Sequence, residues 1–103
     1  MTRQLSRTWW TRESAGVVNH ADLESGRIAL ALTLGDRRYA VVLAPAPDGP
    51  AAWKGMWTRA GHPGTGAVSA RVYRATDGGL AIIGDWSEDG TVYRWVAELD
   101  AAR

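Results

Sequence analysis

Six tryptophans and no phenylalanine, in a chain of 103 residues, dominate the chemistry that this sequence offers. They stand at positions 9, 10, 53, 57, 86 and 95. An indole pairs a large apolar face with one N–H that needs an acceptor, so it either packs a core or stacks on a planar ligand or a partner protein. Trp57, Trp86 and Trp95, with Tyr93, fall at positions that strand alternation turns to one side, and Arg59 and Arg74 continue the same rows near strand ends. The functional reading is a ligand space lined by the three indoles and Tyr93, with Arg59 and Arg74 pairing charge at its mouth. The competing reading is that the indoles fill the interior of a small barrel.

Catalytic constellations are thin. His20 and His62 are the only histidines, and they stand among scattered carboxylates without ligand spacing, whereas a metal site needs three or four converging donors. No metal or cofactor is expected. Ser14, Ser25, Ser69 and Ser87 lack a Gly-x-Ser-x-Gly elbow and read as turn or strand-surface residues. Asp85, Glu88 and Asp89 cluster around one hairpin, where turn chemistry accounts for Glu88 and Asp89. Gly61-His-Pro-Gly-Thr-Gly66 has no phosphate-loop lysine and no helical pattern after it, and so reads as a flexible loop that would lid a barrel mouth if it moves.

Twelve Lys plus Arg oppose eleven Asp plus Glu, for a net charge of +1, with both signs interspersed. Duplex nucleic acid, which rests on concentrated positive charge, is disfavoured. Rings interleaved with Arg suit a single-strand platform better, but the charge balance argues against that too. With no cysteine, disulfides, thiolate metal sites and cysteine nucleophiles are all out of reach. No apolar run has the length of a signal core or a membrane-spanning helix, so a cytoplasmic location is expected.

The elements that must position these residues are strands. Glu24-Ser25-Gly26, Gly35-Asp36, Asp48-Gly49-Pro50, His62-Pro63-Gly64, Asp77-Gly78-Gly79 and Glu88-Asp89-Gly90 are turn signals spaced by single-strand lengths. From Ile28 to Leu34 every even residue is large and aliphatic and every odd one is small. A two-residue hairpin with Gly first, Gly35-Asp36, leads back into Arg38 to Ala44, with Tyr39, Val41 and Leu43 on one face and Pro45-Ala-Pro47 as the stop. Parity then gives inward rows of Trp53 and Trp57, Val68 and Val72, Leu80, Ile82 and Trp86, and Tyr93, Trp95 and Leu99. Lys54, Ser69, Arg71, Asp85, Arg94 and Glu98 face solvent. Leu5 to Arg12 reads as a strand, while Ala15 to Leu23 is open between a strand, a short helix and a loop. The fold class expected is all-β: one domain over residues 1–103, a small antiparallel up-and-down barrel of about 7–8 strands, with a short N-terminal helix as an open alternative.

Gly-x-Trp occurs twice, at Gly55 to Trp57 and at Gly84 to Trp86, where the glycine admits a close backbone approach or a bulge beside a bulky ring. On this motif, within Trp53 to Leu99, the chain resembles the calycin barrels of the lipocalin and avidin type. It is shorter than a typical lipocalin and lacks the polar ligand-contact pattern of avidins. The resemblance implies the barrel and says nothing of function. Three functions follow as expectations. The first is a barrel that binds a small or nucleotide-like ligand through Trp stacking and Arg charge pairing. The second is a protein-interaction module or homodimer with Trp9, Trp10 or Trp53 as surface anchors. The third is a barrel enzyme acting by substrate positioning.

Overall fold

In the computed structural model, which describes residues 7–11, 13, 15–24, 26–47, 49 and 51–100, eight strands follow one another without a helix. They are β1 (Arg7–Trp10), β2 (Gly16–Glu24), β3 (Arg27–Leu34), β4 (Arg37–Pro45), β5 (Ala52–Arg59), β6 (His62–Arg74), β7 (Leu80–Glu88) and β8 (Thr91–Leu99). Each pairs antiparallel with the next, and β1 pairs with β8 through Arg7↔Glu98 to Trp10↔Trp95. The sheet is thereby a closed barrel without free edges. Among the described residues no helix is long and apolar enough to cross a membrane. Ser14, Ser25, Asp48, Pro50 and the part of the N-terminal strand before Arg7 lie outside the described residues.

The alternation from Gly26 onward sets the faces. Ile28, Leu30, Leu32 and Leu34 point inward, and so do Tyr39, Val41 and Leu43, Val68, Ile82, Trp86, Trp95 and Leu99. One segment left open is resolved, and one differs from expectation. The stretch from Ala15 to Leu23, open between strand, helix and loop, is strand β2, and a bulge between Val18 and His20 shifts its register on β3. Before the bulge Gly16 and Val18 turn inward; after it Ala21 and Leu23 do. That change of parity erases the period of two by which a strand is recognised. Gly61 to Gly66 is not a free loop. The turn is Ala60-Gly61, and His62 onward is paired strand, with an irregularity where Thr58 faces Thr65 and Arg59 faces His62.

The turn chemistry is local. Asp89 and Gly90 both take positive φ, 52° and 79°, between the paired Glu88 and Thr91. This is the primed turn whose twist suits a tight hairpin.

Inside the barrel, glycine decides where rings can go. Gly55 and Gly84 belong to inward rows, and a Cβ there would overlap the carbonyl oxygens of Val42 and Ser69 on the neighbouring strands. Strands β5 and β7 approach their neighbours closely at these points, an approach that only glycine permits. Two residues later each inserts its indole.

Candidate functional site

The inserted rings fill the middle of the barrel. Trp57 and Trp86 stack with centroids 5.7 Å apart and planes 4° from parallel. Trp10 and Tyr39 stand edge-on to Trp86 at 5.3 and 5.2 Å, and Trp95 tilts against it at 5.4 Å. Each central indole N–H is bonded: Trp57 Nε1 donates to the Ser87 carbonyl (2.7 Å), Trp95 Nε1 to Thr8 Oγ1 (2.7 Å) and Trp86 Nε1 to Glu88 Oε1 (2.9 Å). Thr8, fully buried, donates a hydrogen bond from its own hydroxyl to the Val96 carbonyl at 3.0 Å. Trp57, Trp86 and Trp95 are thus buried and satisfied, and line no open space. They divide the barrel interior into two separate ends.

One end holds the last inward residues of β3, β5 and β7 and the first of β4 and β8. Its cup has a volume of about 80 Å³, walled by Trp10, Leu34, Tyr39 and Tyr93 and ringed by Glu13, Arg37, Arg59, Glu88 and Asp89. Glu88 is its centre. Oε1 accepts from Trp86 and Oε2 from the Tyr39 hydroxyl at 3.0 Å, while Arg59 stands 4.0 Å from Oε2. Arg37 is committed to Glu13 through contacts of 3.2 and 3.3 Å. That hydrogen bond raises the Arg37 pKa, against a lesser opposing effect of burial. Burial pushes the Tyr39 phenol up from its ordinary value, and the bond to Glu88 and that carboxylate's charge push the same way.

The opposite end is apolar. Leu23, Ile28, Trp53, Val72 and Leu80 line a cup of about 320 Å³, with Glu24 and Arg74 on its rim. Arg74 also borders an outer groove that includes Arg7, Asp77 and Glu98. Among the described residues the Arg74 guanidinium makes no ion pair or hydrogen bond, and neither does the Trp53 indole N–H.

Of the expected site residues, the structure brings Arg59 and Tyr93 together in the polar cup, buries Trp57, Trp86 and Trp95 between the ends, and sets Arg74 at the far end. Arg59 closes β5 and Arg74 closes β6; adjacent antiparallel strands finish at opposite ends, so the two cannot share one mouth. Trp10 is buried inside closing strand β1, which removes it as a surface anchor, and Trp9 and Trp53 are half-buried. The residues missed were Tyr39, Arg37 and above all Glu88, set aside as turn chemistry. Its signal was parity: Glu88 continues the inward row of Leu80, Ile82 and Trp86. Asp85 faces outward, 3.6 Å from Arg94, so the three carboxylates of that hairpin do not converge. Comparisons with protein-family models, with curated proteins and with solved structures find no match for this chain. Fold and ends define a closed eight-stranded antiparallel barrel with a solid aromatic middle.

Proposed function

We propose that the protein is a small-ligand-binding barrel of the calycin type whose main site is the apolar end, where Trp53 and Arg74 receive a monocarboxylate with a compact apolar body. The observation that carries this reading is an apolar cup of about 320 Å³ with two donors that are unspent among the described residues, the Arg74 guanidinium and the Trp53 N–H. Pockets for drug-sized molecules start at roughly 300 Å³ and combine apolar walls with a few polar groups that fix orientation. The rim also carries Glu24, which stands opposite Arg27 in the β2–β3 hairpin register, whereas Arg74 stands opposite Leu80 across β6 and β7. Arg74 is the cation on this rim, and guanidinium matches carboxylate in a two-pronged contact.

Octanoate and benzoate are suitable probes, followed by the shift of the Trp53 indole N–H resonance. Saturable binding is expected, at least about tenfold weaker in Arg74→Met and unchanged in Arg59→Met. Octanol binding as tightly as octanoate, or an Arg74→Met variant that binds normally, would remove the basis for the reading.

A second reading, a protein-interaction module, gains support from the outer sheet face. Val42 (43% exposed) and Met56 (54% exposed) are cross-strand partners there, flanked by Ala29 and Ala67 at the same level of the sheet. A hydrophobic row of this kind suits a partner surface. Light scattering that gives a dimer, lost in Met56→Lys, is the outcome it expects; a monomer with no change on substitution counts against self-association.

A further inference from the structure

We infer that the polar end is a second, independent site, built for a small zwitterion of the α-amino acid type. After the internal bonds are made, its open valences are one cation and two carboxylates. Arg37 is taken by Glu13. Among the described residues Arg59 has only Glu88, at 4.0 Å, the outer limit of an ion pair, and it is 29% exposed at the rim. Glu88 is held in place rather than used up: each carboxylate oxygen accepts one internal bond, from Trp86 or Tyr39, and keeps one lone pair toward the cup. Asp89, on the same rim, makes no ion pair or hydrogen bond among the described residues.

Those valences have one geometry in common with an α-amino acid. A carboxylate between Arg59 and the solvent, and an ammonium between Glu88 and Asp89, would each meet the opposite charge within one short molecule. A simple anion would meet Arg59 but bring its charge beside Glu88, and a simple cation would meet Arg59 as a like charge. Only a ligand carrying both signs lowers both repulsions. The walls favour the ammonium as well, because Trp10 and Tyr93 present aromatic surface to it. The volume sets the size: about 80 Å³ admits glycine or alanine and excludes a drug-sized molecule. Glu88 is preorganised for the task, since its two bonds to Trp86 and Tyr39 fix the carboxylate before any ligand arrives.

The test uses the full chain and four probes: alanine, glycine betaine, propionate and ethylamine. Binding is followed through the amide resonances of Asp89 and Gly90 and the Trp10 indole N–H. Alanine is expected to bind at least about tenfold more tightly than propionate or ethylamine. Glycine betaine, whose cation has no N–H to donate to Glu88, should fall between. Arg59→Met and Asp89→Asn should each weaken alanine by a similar factor, and Asp89→Asn keeps the turn because Asn tolerates positive φ. Arg74→Met should change nothing, which separates this site from the apolar one. Propionate or ethylamine binding as tightly as alanine overturns the inference, as do millimolar alanine leaving the three resonances unmoved and Arg59→Met binding alanine normally while circular dichroism shows the native fold.

Discussion

Trp57 and Trp86 lie face to face, 4° from parallel and 5.7 Å apart, although they come from β5 and β7 with β6 between them. What lets them meet is Gly66 on the intervening strand. It pairs with Trp57 across β5 and β6, and a Cβ on it would run into the Trp57 indole and the Ser87 carbonyl. The same Ser87 carbonyl accepts the Trp57 N–H. The stack is thus a three-strand device, and it is what closes the middle of the barrel.

Trp86 should therefore be the most costly ring to remove. It touches Trp10, Tyr39, Trp57 and Trp95 and donates to Glu88. Trp86→Ala is expected to lower stability by about 3–5 kcal/mol, the range for deleting a large aromatic ring from a packed core. Trp86→Phe should lose less. Urea unfolding midpoints of the two variants, with the slope checked for constancy, measure this; a loss under about 1 kcal/mol for Trp86→Ala would mean that the stack does not bear on the core.

The glycines predict two different costs. At Gly84 the obstacle is the Ser69 backbone oxygen, which cannot move without breaking the β6–β7 ladder, so Gly84→Ala should leave little folded protein. At Gly90 nothing lies within 4 Å, and only the positive φ of 79° stands against a side chain. Gly90→Ala should fold and lose about 1–2 kcal/mol. Comparing soluble yield and thermal midpoint of the two distinguishes overlap from backbone strain.

Thr8 offers a cleaner measure of a buried hydrogen bond. Its hydroxyl accepts from Trp95 and donates to Val96 with no exposure to water. Valine has nearly its shape, so Thr8→Val strands one indole N–H and one carbonyl without opening a void. A loss of about 1–3 kcal/mol is expected in denaturant titration.

Much of the barrel was legible because its strands obey a period of two between Gly-marked turns. Leu80 to Trp86 and Tyr93 to Leu99 point where parity puts them. Legibility failed where that period broke, at the Val18–His20 bulge and at the irregular start of β6. It failed at the site for another reason. Parity tells which side chains turn inward, but whether inward rings leave space depends on distances across the barrel. Trp57 and Trp86 leave none, while Trp53, in the same row as Trp57, borders a cup. The opposite placement of Arg59 and Arg74 was available from strand direction alone.

Tyr39 ties the polar cup to alkaline stability. Its phenol sits above the ordinary value of 10.0, first because burial penalises the phenolate, then because Glu88 accepts its proton and repels its anion. Below that ordinary value the phenol is neutral in folded and unfolded chains alike, and its contribution to stability is fully present. As pH rises past it, the unfolded chain ionises first and is favoured, so stability falls until the folded phenol ionises too. Phenylalanine at 39 removes this titration together with the hydrogen bond to Glu88. Tyr39→Phe is therefore expected to be less stable than the parent at neutral pH, by about 0.5–1.5 kcal/mol, and to lose less on going to alkaline pH, so that the two curves converge. Stability from urea titrations at stepped pH, alongside the phenolate absorbance of parent and variant, measures both parts. Parallel curves above pH 10 would show that Tyr39 ionises no differently in the fold than in the open chain.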